Sequence, residues 1–152
     1  MTTPASFLTE EMRQQAIGQK SAPRTIDVEK GAIIKFAQAI EDDNPAFSDE
    51  MAAREGRYGG LIAPPTFLRS VGVDRPTYPF DLPFTRLLDG GSDWEYFQPV
   101  RAGDRITAVS EIADITERTG RMGLMIITSI VVTYRNQFDQ VAAIQTSTSI
   151  RY

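Results

Sequence analysis

Apolar and polar positions divide the chain into two parts with different periodicity. In the first part, Ile33, Phe36, Ala37 and Ile40 fall at i, i+3, i+4 and i+7. That spacing predicts one buried face of a helix of about three turns. Gly31 weakens its start, and the run DDNP at 42–45 ends it, because Asn and Pro favour turns. Residues 1–12 read as a short helical lead-in, and PRTIDVE at 23–29 as a short strand. Ser48 is placed to cap a second short helix, with Asp49 and Glu50 in its first turn and Gly56 as its stop. After a loop at 58–65, TFLRSVG at 66–72 reads as a largely buried helix, with Pro65 at its first turn and Gly72 at its end.

Residues 73–91 are rich in Pro, Gly and Asp and read as irregular. The pattern then changes to strands at 92–100, 104–116, 121–136 and 140–152, rich in Ile, Val, Thr and aromatics. RAGD and NQFDQ are the clearest turns. In the last strand Ala142, Ile144, Thr146, Thr148 and Ile150 share one face, and Gln145, Ser147, Ser149 and Arg151 the other. LMIITSIVV is apolar on both faces, which predicts a central strand covered on both sides. A helix can cover one side, and the other suggests a partner chain. Helices followed by antiparallel strands predict an α+β fold, one helix packed on a curled sheet, in a single domain over residues 1–152.

Composition narrows the chemistry. The chain has no Cys and no His, which excludes disulfides, thiolate nucleophiles, zinc–thiolate sites and every Ser-His or Cys-His mechanism. No metal or redox cofactor is implied. A net charge of −4 with scattered Arg residues argues against nucleic acid as partner. The N-terminal residues lack a signal-peptide pattern, and no apolar run approaches the about 20 residues of a membrane span, so a cytoplasmic protein is expected.

Three stretches, FAQAIEDDNPAF, YGGLIAPPTFL and DWEYFQPVRAGDRITA, carry a resemblance. Over residues 15–152 the chain resembles the MaoC-like hydratases and dehydratases of the hot-dog fold, in their FAS1-like (MaoC N-terminal) dehydratase branch. The resemblance implies a curled antiparallel sheet wrapped around a central helix, a substrate that is an acyl thioester of coenzyme A or acyl carrier protein, and pairing with a second hot-dog chain or copy. Catalytic members carry Gly-Asp-x-Asn-Pro-apolar-His, whose Asp and His hold one water. Here Glu41 takes the Gly place, Asp42 the Asp place, Asn44 and Pro45 match, and Phe47 takes the His place. The family's His-Gly pair, whose Gly N–H polarises the thioester carbonyl, corresponds to Pro64 and Pro65. Pro65 has no N–H, so an oxyanion donor worth about 2.7–4 kcal/mol elsewhere is missing.

Hydration needs one group to take a proton from water and one to give a proton to the α carbon. Phe47 does neither. Asp42 then reads as a residue that caps its own turn or as a lone proton carrier. Phe47, Tyr58, Gly59, Gly60, Ile62, Ala63, Pro64 and Pro65 are the expected substrate-binding positions, although Gly59 and Gly60 also read as loop punctuation. Trp94, Tyr96 and Phe97 read as core, interface or ligand contacts; Arg57, Arg69 and Arg101 as solvated residues or contacts to coenzyme A phosphates. The reading that follows is a non-catalytic subunit of a heteromeric enoyl-thioester hydratase, or of the reverse 3-hydroxyacyl dehydratase. The alternatives are a stand-alone thioesterase or hydratase using Asp42, and a homodimeric acyl-thioester binding module.

Overall fold

The computed structural model describes residues 6–152. Helix α1 (Glu10–Ala16) is followed by strand β1 (Arg24–Asp27), then α2 (Lys30–Ala39), α3 (Pro45–Ser48) and α4 (Glu50–Glu55). A 3-10 helix (Pro65–Val71) leads through an irregular stretch into β2 (Leu87–Tyr96), β3 (Arg105–Gly120), β4 (Gly123–Arg135) and β5 (Val141–Arg151). Residues 1–5 of the expected lead-in lie outside the described residues; Glu10–Ala16 is helical, capped by Thr9.

All five strands form one antiparallel sheet in the order β1-β3-β4-β5-β2. This is the hot-dog arrangement of helices and curled sheet. β4, apolar on both faces, lies in the middle as expected. Its even positions Ile126, Thr128, Ile130, Val132 and Tyr134 are buried. Its odd positions, Ile127, Ser129, Val131 and Thr133, are half-buried on the outer face.

The inner face carries two separate apolar clusters. One gathers Ile33, Ala37, Phe67, Leu68 and Val71 from the helices, with Val28 from the segment after β1, onto Ile106, Ala108, Val132 and Tyr134. Phe36 and Phe67 meet edge to face at 5.5 Å. Burying each such side chain is worth about 1.5–3 kcal/mol, and this burial rather than helix propensity holds the short 3-10 helix in place. The second cluster packs Ala16, Phe7 and Leu8 with Tyr78, Phe80, Leu82 and Phe84 onto Ile112, Ile115 and Ile126. The Glu117 carboxylate accepts from the backbone N–H groups of Phe7 and Leu8, each at 2.7 Å, and pins this segment down.

Several sequence expectations need correction. The caps of the short helices fall elsewhere: the Asn44 side chain accepts from Ala46 N and caps α3, and Asp49 accepts from Met51 and Ala52 N and caps α4. The Ser48 hydroxyl instead donates back to Asn44 O at 3.2 Å. The helix at 66–72 is 3-10 in character and only one face is buried, with Arg69 and Ser70 exposed. Gly72 ends it in the left-handed region, φ 66°. β2 begins at Leu87 rather than at 92. Its first half was hidden by Gly90 and Gly91, which form a register shift against β5 between Asp89 and Ser92. A Cβ on Gly90 would stand 2.9 Å from Thr148 Cγ2, so the close approach of the two strands requires glycine.

Candidate functional site

An apolar cavity of about 380 Å³ opens where the N-terminal end of the 3-10 helix meets the end of β2. Phe47, Tyr58, Ile62, Ala63, Pro64, Pro65 and Leu68 form one side, and Tyr96, Phe97, Gln98 and Pro99 the other. Six of the expected substrate-binding residues therefore meet in one place. Gly59 and Gly60 do not; they line a neighbouring charged groove with Lys30, Glu50, Arg54 and Arg101. Tyr96 and Phe97 are 46% and 52% exposed and supply the open rim.

The local sequence explains how the site is placed. Ala63 N donates to Val100 O at 2.7 Å, and Ile62 N donates to Ala46 O at 3.1 Å. These bonds tie the segment before the helix between the α3 turn and the RAGD turn. That turn is itself fixed by Asp104, whose carboxylate accepts from Arg101 N and from the Gln137 side chain. Pro64 is fully buried and Pro65 starts the helix.

The same bonds decide what the cavity can do. Ile62 and Ala63 have spent their N–H groups, and Pro64 and Pro65 have none. Four consecutive backbone positions along the cavity wall thus offer no donor to a developing oxyanion. Phe47 is 8% exposed and faces the cavity with a ring that transfers no proton. Asp42 does not line the cavity: its Oδ1 accepts from Asn44 N at 3.0 Å, closing its own turn. Asn44 is spent on the α3 cap. Glu41 takes up φ 56°, the left-handed region that suits the glycine of the catalytic pattern.

Charge gathers at the mouth. The guanidinium groups of Arg57 and Arg101 stand 5.5 Å and 5.8 Å from the Tyr58 ring centroid. Arg101 also donates to Tyr58 O. Arg69 is elsewhere, on a second cavity at the other end of the 3-10 helix. Behind the rim, Trp94 stacks on Tyr96 at 5.8 Å and on Tyr134 at 5.6 Å. Burial pushes the Tyr134 phenol up to about 12, so it stays protonated and donates to Gln145 Oε1 at 3.1 Å. Leu68 and Gln98 line the cavity without having been assigned to the site from the sequence, while Tyr96 and Phe97, read there as core, interface or ligand contacts, form its rim.

Residues 15–145 match the family model described as the FAS1-like dehydratase domain region. The chain belongs to the FAS1-like dehydratase family. Among curated relatives, a UPF0336 protein of Streptomyces coelicolor is 36% identical over 115 residues, covering 70% of this chain and 75% of that one. The MaoC-like dehydratase of Rhodospirillum rubrum superposes with a TM-score of 0.71 at 25% identity, covering 95% of this chain and 97% of that one. A chain of the HadBC (3R-hydroxyacyl-ACP dehydratase) complex of Mycobacterium tuberculosis gives 0.72 at 24% identity, covering 89% and 96%. The last likeness establishes the shared hot-dog fold. Among the described residues, no helix is long and apolar enough to cross a membrane.

Proposed function

We propose that this chain is the acyl-binding, non-catalytic subunit of a two-chain enoyl-thioester hydratase, or of the reverse 3-hydroxyacyl-thioester dehydratase. One observation carries the reading: the cavity of a dehydratase-family fold is kept, while its wall holds Phe47 and four successive backbone positions without a free N–H. A second hot-dog chain supplies the carboxylate, the imidazole and the oxyanion donor. Water adds across the double bond and no electrons change hands, so the thioester carrier is the only companion molecule that the reaction requires.

The free edge favours such pairing. β2 ends the sheet order, and among the described residues no strand pairs with its outer edge. Leu87 and Leu88 at one end are 43% and 41% exposed, and Tyr96 and Phe97 stand open at the other. A partner strand continuing the sheet here would cover these side chains and satisfy the edge. Arg57 and Arg101 at the mouth suit the phosphates of coenzyme A. The likeness to a chain of a dehydratase complex supports a two-chain assembly. An enzyme acting on coenzyme A thioesters accords with these features.

The test is hydration of short and long 2-enoyl-CoA by the purified chain, alone and then mixed with a hot-dog dehydratase chain that carries the Asp-His pair. Turnover only in the mixture is expected. Full activity of the chain alone would overturn the reading. Tight binding without turnover in either setting would make the chain a binding module instead.

A further inference from the structure

The apolar cavity ends against a closed wall. Pro65 and Leu68 both line it, three residues apart and so on one face of the 3-10 helix. Pro65 is exposed, whereas Leu68 is only 2% exposed. Over these residues the helix therefore runs from the mouth inward, and Leu68 stands at the deep end. Behind it the protein is packed. Leu68 and Tyr134 belong to one buried cluster, and Trp94 packs against that cluster. The polar cavity at the other end of the helix, where Arg69 faces Gln145 and Ser147, shares no lining residue with the apolar one.

Several bonds hold this wall in place. The Trp94 ring stacks on Tyr96 and on Tyr134, with centroids 5.8 Å and 5.6 Å away. Tyr134 donates to Gln145 Oε1, and Gln145 Nε2 donates to Ser92 Oγ, each at 3.1 Å. Turning either ring aside breaks a stack or a buried hydrogen bond. A close-packed interior of this kind resists even one added methylene. The cavity in front of the wall, about 380 Å³, is near the small end of the roughly 300–1,000 Å³ of small-molecule sites. A small cavity whose end wall does not yield discriminates by length.

Resting on the acyl-thioester reading above, we propose that Leu68, backed by Trp94 and Tyr134, sets the longest acyl chain that this subunit accepts, and that the thioesters it binds carry short apolar acyl groups. The apolar class follows from depth: the buried lining residues are Phe47, Ala63, Pro64, Leu68 and Val100, while Arg57 and Gln98 are exposed. Each methylene gains by leaving water until the end of the chain meets Leu68. The next one must displace a packed side chain or fold back toward water.

The experiment measures affinity for saturated acyl-CoA thioesters of increasing length, which have no double bond to hydrate, on the full chain and on the two-chain complex. Affinity should rise about fourfold per added methylene while the acyl group is being buried, then stop rising at a definite length. Leu68→Ala should move that break to chains about three carbons longer, the number that the substitution removes, and Leu68→Phe should move it to shorter chains. Opposite shifts from one position are a result that loose packing alone does not produce. Where Leu68→Ala fails to fold, Leu68→Phe and the milder Leu68→Val carry the test. Wild-type affinity that keeps rising through long chains, or a break that no Leu68 variant moves, would overturn the length limit and leave the acyl-binding function standing. Failure of every thioester to bind, even in the complex, would overturn both.

Discussion

The two cavities sit at opposite ends of one seven-residue helix and on one sheet face, yet they are built from opposite materials. The mouth is walled by Phe47, prolines and rim aromatics, with its backbone donors spent on neighbouring segments. The inner cavity is walled by serine hydroxyls, the Gln145 amide and the charged groups of Arg69, Asp74, Arg75 and Asp89. In an enzyme of this family the polar groups are needed at the mouth, where the reacting carbons sit. Here the mouth is mainly apolar and the polar side chains gather at the other cavity. The difference teaches that an apolar cavity and proton-transfer groups depend on different side chains, so a fold can keep the first without the second.

The wall between the cavities offers the sharpest test of that comparison. Tyr134 is 2% exposed, and its phenol is raised from the ordinary value near 10 to about 12. The proton is therefore held more tightly folded than unfolded. Stability from this group is complete below about pH 10 and is lost as pH rises toward 12, a change on the order of 2–3 kcal/mol. Alkaline unfolding of wild type against Tyr134→Phe checks it: the variant should lose that part of the pH dependence. It should also start about 1–3 kcal/mol less stable, because Gln145 Oε1 loses its donor. Next in size is Ala63→Phe, which fills the mouth. Acyl-thioester affinity should fall at least about tenfold, about 1.4 kcal/mol, with long and short chains losing alike. A variant that lost only long chains would place the entrance elsewhere.

A smaller effect is expected at Glu41. This residue holds a left-handed backbone without the freedom of glycine. Glu41→Gly should leave the fold unchanged and raise stability by up to about 1 kcal/mol, read from denaturant midpoints. A clear loss would mean that the Glu41 side chain contributes more than the backbone strain costs.

Much of this architecture was legible in the sequence, because it rests on periodicity. The 3.6-residue spacing of Ile33, Phe36 and Ala37 gave α2, but Ile40, expected on the same buried face, falls at the helix C-cap and is 45% exposed; the two-sided apolar run gave β4 its central place. The alternation along β5 correctly separated Gln145, Ser147 and Ser149 from Ile144, Thr146 and Ile150. Alternation alone does not say which face turns inward, and here it is the polar one that does. The beginning of β2 was missed because a Gly-Gly shift imitates a loop. The motif resemblance brought Phe47 and Ile62 to Pro65 together in advance. It could not show that Ile62 and Ala63 have committed their N–H groups, because those bonds are made to Ala46 and Val100, distant in sequence. Nor could it separate Gly59 and Gly60 from the cavity, since one turn of chain at Tyr58 divides the two sides.

The central claim is that this chain holds the acyl group and another chain moves the protons. Asp42 is the one motif carboxylate that remains in the catalytic pattern, and it is bonded to its own turn, away from the cavity. The most direct measurement is kcat/KM for hydration by the two-chain complex carrying Asp42→Asn in this chain. The account predicts a value within about twofold of wild type, since the loss of one exposed turn bond alters stability by only about 0.5–1.5 kcal/mol and removes no proton carrier. A fall of about a hundredfold or more, the scale of a lost general acid or base, would contradict it and return the chemistry to this chain.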